Sequence, residues 1–167
     1  MEKMQEHLAE WLRDLHAAEK QASTMLSGTA SQLSRYPEFS EGLRQHGELS
    51  SRQADDLEQC LSRMGEGTSA LKQLTGQLTA VGQTLSGLVV GDEVMKAALA
   101  ISTFAEMEIS SYKILIAAAN AAGKPDIATE CERLLQEEEA FARWLDQQLP
   151  TLTAEYLRRE EADSTAA

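Results

Sequence analysis

Counting along the chain in alternating steps of four and three residues picks out four long apolar stripes, the spacing of one face of an α-helix. The first runs through Leu8, Leu12, Leu15, Glu19, Ala22, Leu26, Thr29 and Leu33, and the second through Phe39, Leu43, His46, Ser50, Gln53, Leu57, Cys60 and Met64. The third passes Val94, Ala98, Ile101, Ala105, Glu108, Tyr112, Leu115 and Ala119, and the fourth Ile127, Cys131, Leu134, Glu138, Phe141 and Leu145. Punctuation residues set the ends. A helix over residues 3–34 has to stop before Pro37, which disfavours the α conformation at Tyr36 and suits the first turn of a second helix over 37–64. Gly65 and Gly67 close that one. Asp92 can cap a third helix over 92–122, ended by Gly123, and a fourth spans 125–149 with Pro150 as its stop. A short fifth helix, "TLTAEYLRRE", is predicted next, and residues 161–167 read as a flexible tail.

Short connections make the first and second helices, and the third and fourth, antiparallel pairs. The stretch 65–91 is different: Leu71, Leu74, Leu78, Val81, Leu85 and Leu88 recur at helical spacing, with Thr, Ser, Gln and Gly on the other face. At 1.5 Å per residue such a helix covers most of a bundle's length, so the second and third long helices can run parallel. Four helices with one long crossover between the second and third are the ferritin-like topology. The predicted fold is therefore all-α, a single ferritin-like four-helix bundle domain over residues 1–160. The uncharged back of the crossover suits a second copy of the chain, a homodimer, better than lipid, because Lys72 is its lone cation.

Composition agrees: aromatic residues make up 5% of the 167, with three prolines, as in helical bundles. Fifteen Lys and Arg against 27 Asp and Glu give a formal charge of −12, which repels nucleic acid and anionic membrane surfaces and attracts cations. The opening "MEKMQEHLAEW" lacks a basic region followed by an apolar one, and no stretch approaches the roughly 20 apolar residues of a membrane span, so a cytoplasmic location is expected. Cys60 and Cys131 have no ligand spacing and read as small core residues.

The chemistry lies in what interrupts the stripes. Each long helix places one possible metal ligand, Glu19, His46, Glu108 or Glu138, on the face predicted to be buried. Ionised carboxylates meeting in a core repel, and either protons or a divalent ion must compensate them. Oxygen donors with one imidazole suit iron, manganese or zinc. Glu137 and Glu139 fall off the stripe, whereas His16, three residues before Glu19, can support the ligands or simply be a hydrogen-bonded core histidine. The Glu-x-x-His spacing of a two-metal centre is absent from the second and fourth helices, which favours one ion over two, or none. No nucleophile stands beside a base at recognisable spacing, so hydrolytic catalysis has no support.

The segments "LRDLHAAEKQ", "QHGELSSRQADDLEQ", "FAEMEISSYKIL" and "LLQEEEAFARWL" resemble, in order and spacing across residues 8–149, the bacterial YciE/YciF-like stress-response proteins, a ferritin-like group. The resemblance implies a four-helix core with additional helices, a dimer and a dinuclear iron-type site. Glu19, His46, Gln53, Glu108 and Tyr112 stand where that pattern has the same residue types, with Gln53 and Tyr112 orienting the ligands. The chain departs from it at Ala105, where a further Glu is common, at Ala142, where an Asp is common, and at "HGELS", which replaces a more acidic run. Two functions follow as expectations. One is a stress-associated bundle holding a reduced carboxylate and histidine site for iron or a similar metal. The other is a metal-free bundle serving as a structural or interaction module, favoured by the charge lost at Ala105 and Ala142.

Overall fold

Pro37 and Pro125 each stand in the first turn of a helix, where the missing N–H is no loss, and they force the preceding Tyr36 and Lys124 out of helical geometry. The computed structural model describes residues 1–65 and 94–166, and these form four long helices: α1 (Glu2–Gln32), α2 (Pro37–Arg63), α3 (Val94–Ala121) and α4 (Pro125–Thr165). Among the described residues there is no strand. The predicted crossover over 65–91 lies, beyond Gly65, outside the described residues.

Both tight connections make antiparallel hairpins. At the first, the Ser40 hydroxyl donates to the Ala30 carbonyl at 2.6 Å and ties the start of α2 to the end of α1. At the second, Gly123 takes φ +68°, and the Lys124 N–H donates to the Ala119 carbonyl at 2.8 Å, a glycine-closed helix end. Arg63, at the end of α2, pairs with Asp126, at the start of α4, at 3.4 Å. Met95, at the start of α3, meets Thr153 towards the far end of α4. Consequently α2 is antiparallel to α4 and parallel to α3, and the end of α2 and the start of α3 lie at opposite ends of the bundle, as in the ferritin-like order.

The stripes face inward as their spacing predicts. Leu8, Leu12, Leu26, Leu43, Leu57, Ile101, Leu115, Leu134 and Leu145 are all buried in one core, with Cys60 and Cys131 among them as free thiols. Burial pushes these thiols up to about 11 and about 12, so they are unreactive at neutral pH. No described helix is long and apolar enough to cross a membrane.

One predicted boundary is overturned. Pro150 does not end the fourth helix, and there is no separate fifth: α4 runs through it for 41 residues. Pro150 lies on the exposed side, so the Asp146 carbonyl that loses its usual donor faces water. Tertiary contacts hold the helix beyond it. Leu152 is buried, Arg159 donates from Nη2 to the Arg35 carbonyl at 2.8 Å, and its guanidinium lies 5.2 Å above the Tyr36 ring. Asp163 pairs with Arg35 at 3.2 Å, so most of the expected tail is the last turns of α4.

Candidate metal centre

Four side chains that break the stripes end at one level of the core, one from each helix. Glu19 and Glu138 are fully buried, Glu108 is 2% exposed and His46 5% exposed. Donor atoms of His46, Glu108 and Glu138 all lie within 4.8 Å of one another, the one such group among the described residues. His46 Nε2 and Glu138 Oε1 are 3.1 Å apart, yet neither has a partner in hydrogen-bonding alignment. His46 is held in place by Phe141, whose ring lies parallel to the imidazole with centroids 3.5 Å apart.

Glu19 closes the group from α1. Its Oε1 accepts the Tyr112 phenol at 2.7 Å, a fully buried bond between α1 and α3, while its Oε2 has no partner. Burial, reinforced by the charge of Glu138, raises the Glu19 carboxyl to about 8; the hydroxyls of Tyr112 and Ser50 and the neighbouring Glu108 act in the opposite sense. Glu108, flanked by Glu19 and Glu138, is raised well above the carboxylate range, first by burial and then by the charges of both neighbours. The Tyr112 phenol is raised as well, by burial and by Glu19, and stays a donor at any physiological pH.

Five atoms of the group carry lone pairs without a partner: His46 Nε2, Glu108 Oε1, both oxygens of Glu138 and Glu19 Oε2. A buried polar atom left so costs about 1–3 kcal/mol, more when charged, and native cores rarely hold one. One donor atom each from His46, Glu108 and Glu138, within 4.8 Å of one another and acceptors when deprotonated, fit a cation between them, with the Glu19 carboxyl as their neighbour. The donor set, one imidazole nitrogen with carboxylate oxygens, suits a divalent transition metal.

The residues expected to support the ligands divide. Tyr112 does so, through Glu19. Gln53, fully buried, instead donates from Nε2 to Glu137 Oε2 at 3.0 Å, and its Oε1 has no partner. His16 is buried away from the ligand set: Lys20, Asp55 and Glu58 are the charges that act on it, and burial lowers its pKa. Ser50, fully buried beside Glu19, also belongs to the site, and its place on the α2 stripe one turn after His46 is the sequence signal for it. Ala105 is buried one turn before Glu108 and contributes no donor, which leaves the centre with ligands for one ion.

Fold and cluster together define a helical-bundle protein with a buried histidine and carboxylate group of the kind that can hold a metal ion. The chain belongs to the family described as a domain of unknown function, DUF892, matched over residues 3–158. It is similar to a protein of Xanthomonas campestris pv. campestris known from its crystal structure, at 31% identity and a TM-score of 0.80, covering 95% of this chain and 99% of that one. It is also similar to YcfI of Rhodopseudomonas palustris, at 28% identity and a TM-score of 0.64, covering 86% of this chain and 92% of that one.

Proposed function

We propose that this protein binds one divalent metal ion, iron or a similar transition metal, through His46, Glu108 and Glu138, with Glu19 as the neighbouring carboxylate. The observation that carries the reading is the convergence, inside the core, of buried lone-pair atoms on His46, Glu108, Glu138 and Glu19 that have no hydrogen-bond partner. Such a metal supplies Lewis acidity and, if iron or manganese, electron transfer towards oxygen or peroxide. The chain's own part is to hold and exclude: Tyr112 fixes Glu19 at 2.7 Å, Phe141 fixes the His46 ring, and the surrounding leucines keep bulk water out. Because Glu19 and Glu108 hold protons in the metal-free protein, binding releases protons and strengthens as pH rises. Handling of iron or oxidants under stress, in the cytoplasm and as a dimer, is the role in keeping with the YciE/YciF-like resemblance.

Elemental analysis of untagged protein tests the reading. About one Fe, Mn or Zn per chain is expected, falling by an order of magnitude or more in Glu108→Ala, since a missing ligand weakens a small site severely. Sub-stoichiometric metal unchanged by that substitution would overturn it, in favour of a metal-free structural or interaction module.

A further inference from the structure

The cluster is buried, so an ion needs a way in. Two cavities lined by described residues lie in the grooves between helices. One, of about 370 Å³, sits between α1 and α3 against Trp11, Leu15, Met107 and Ile114, and none of the four cluster residues reaches it. The other, of about 290 Å³, sits between α2 and α4, and His46 forms part of its wall together with Arg52, Glu137, Phe141 and Trp144. His46 is also the least buried member of the cluster.

We infer that the α2/α4 cavity is the inlet by which a hydrated divalent cation reaches the buried centre, received by Glu137 and passed inward at His46; the inference rests on the metal-binding reading. Size permits it. A water's share of liquid volume is ~30 Å³, so an ion with six waters takes up roughly 180 Å³, less than the 290 Å³ present.

Chemistry favours this side. Successive helix residues point about 100° apart, so Glu137 lines the cavity, its side chain 29% exposed, while Glu138 beside it faces the core. Glu137 is held in place by Arg133 at 2.7 Å and by Gln53 at 3.0 Å. The formal charge of −12 draws cations towards the molecule, and Arg52 stands exposed on the rim, where solvent screens it.

At the bottom of the cavity, His46 and Phe141 lie ring on ring at 3.5 Å, and Trp144 continues the row 5.7 Å from Phe141. Phe141 borders the open volume of the cavity on one side and His46 on the other. The α1/α3 cavity has no cluster residue in its wall, and the buried Leu15 and Leu115 are among the residues that line it.

Stopped-flow uptake of Co²⁺, followed by its visible absorption, tests the inlet. Ala140→Trp and Gln45→Trp each fill the α2/α4 cavity from an exposed helical position, and Ile114→Trp serves as the control in the other groove. Both cavity variants should take up Co²⁺ about tenfold or more slowly, since the remaining route is local opening of the bundle, and should reach the wild-type stoichiometry. Ile114→Trp should load at the wild-type rate. Far-UV circular dichroism identifies a variant that has not folded, and the other cavity variant then carries the test. Wild-type rates in the cavity variants, or slowing confined to Ile114→Trp, would overturn the inlet while leaving the metal site standing. A wild-type protein that takes up no Co²⁺ would overturn both.

Discussion

Glu19 and Glu108 titrate against the habit of surface carboxylates. Burial and then neighbouring charge raise Glu19 from 4.5 to about 8 and hold Glu108 well above its ordinary value. Between 4.5 and those raised values the folded metal-free protein keeps protons that the unfolded chain has released, so stability falls as pH rises through that range. His16, lowered by burial from 6.5, opposes the trend below its ordinary value, and the two thiols, raised from 9.0, act only near and above that pH. The clean window is therefore pH 7 to 9. Urea denaturation of metal-free protein should give a lower midpoint at pH 9 than at pH 7, and Glu108→Gln, neutral throughout, should flatten the difference; a midpoint that rises with pH would contradict the assignment. The four polar breaks in the stripes were legible in the sequence because helical spacing says which face a residue occupies. That spacing is silent on rotamers, and so on whether Gln53 turns its amide to a ligand or to Glu137.

Between α2 and α4, stacked rings make part of the contact. Trp144 lies parallel to Phe39 at 5.6 Å and to Phe141 at 5.7 Å, and it rests on the α2 backbone at Gly42, where a Cβ would come within 2.1 Å of the indole. Gly42→Ala should therefore displace Trp144, and because the indole borders the α2/α4 cavity and can shift, the bundle should lose about 1 kcal/mol, the low end of the range for overpacking. Urea unfolding, with Trp144 fluorescence read in a Trp11→Phe background, checks this; an unchanged midpoint and spectrum would mean that the ring is not seated on Gly42. Helix ends set by Pro37, Pro125 and Gly123 agree with their local chemistry. The continuation of α4 past Pro150 does not. A local rule placed a stop there, and the anchoring of Leu152 and Arg159 on the rest of the bundle outweighed the loss of one backbone hydrogen bond.

At the scale of the whole molecule, the bundle exposes Trp11, Leu99, Ile114 and Leu157 among its described residues, and a homodimer remains our proposal for the state in which it works. Light scattering at micromolar concentration should return twice the 18.3 kDa chain mass; a monomer would refute it. Four amphipathic helices, the ends set by Pro37, Gly123 and Pro125, and the inward side of Glu19, His46, Glu108 and Glu138 followed from the sequence by itself, because each depends on neighbours within a few residues along the chain. The meeting of those four groups at one height, the Tyr112 bond to Glu19 across 93 positions and the cavity beside His46 were decided only by the tertiary structure. They depend on how far each helix slides and turns against the others, and that is set by the packing of whole faces.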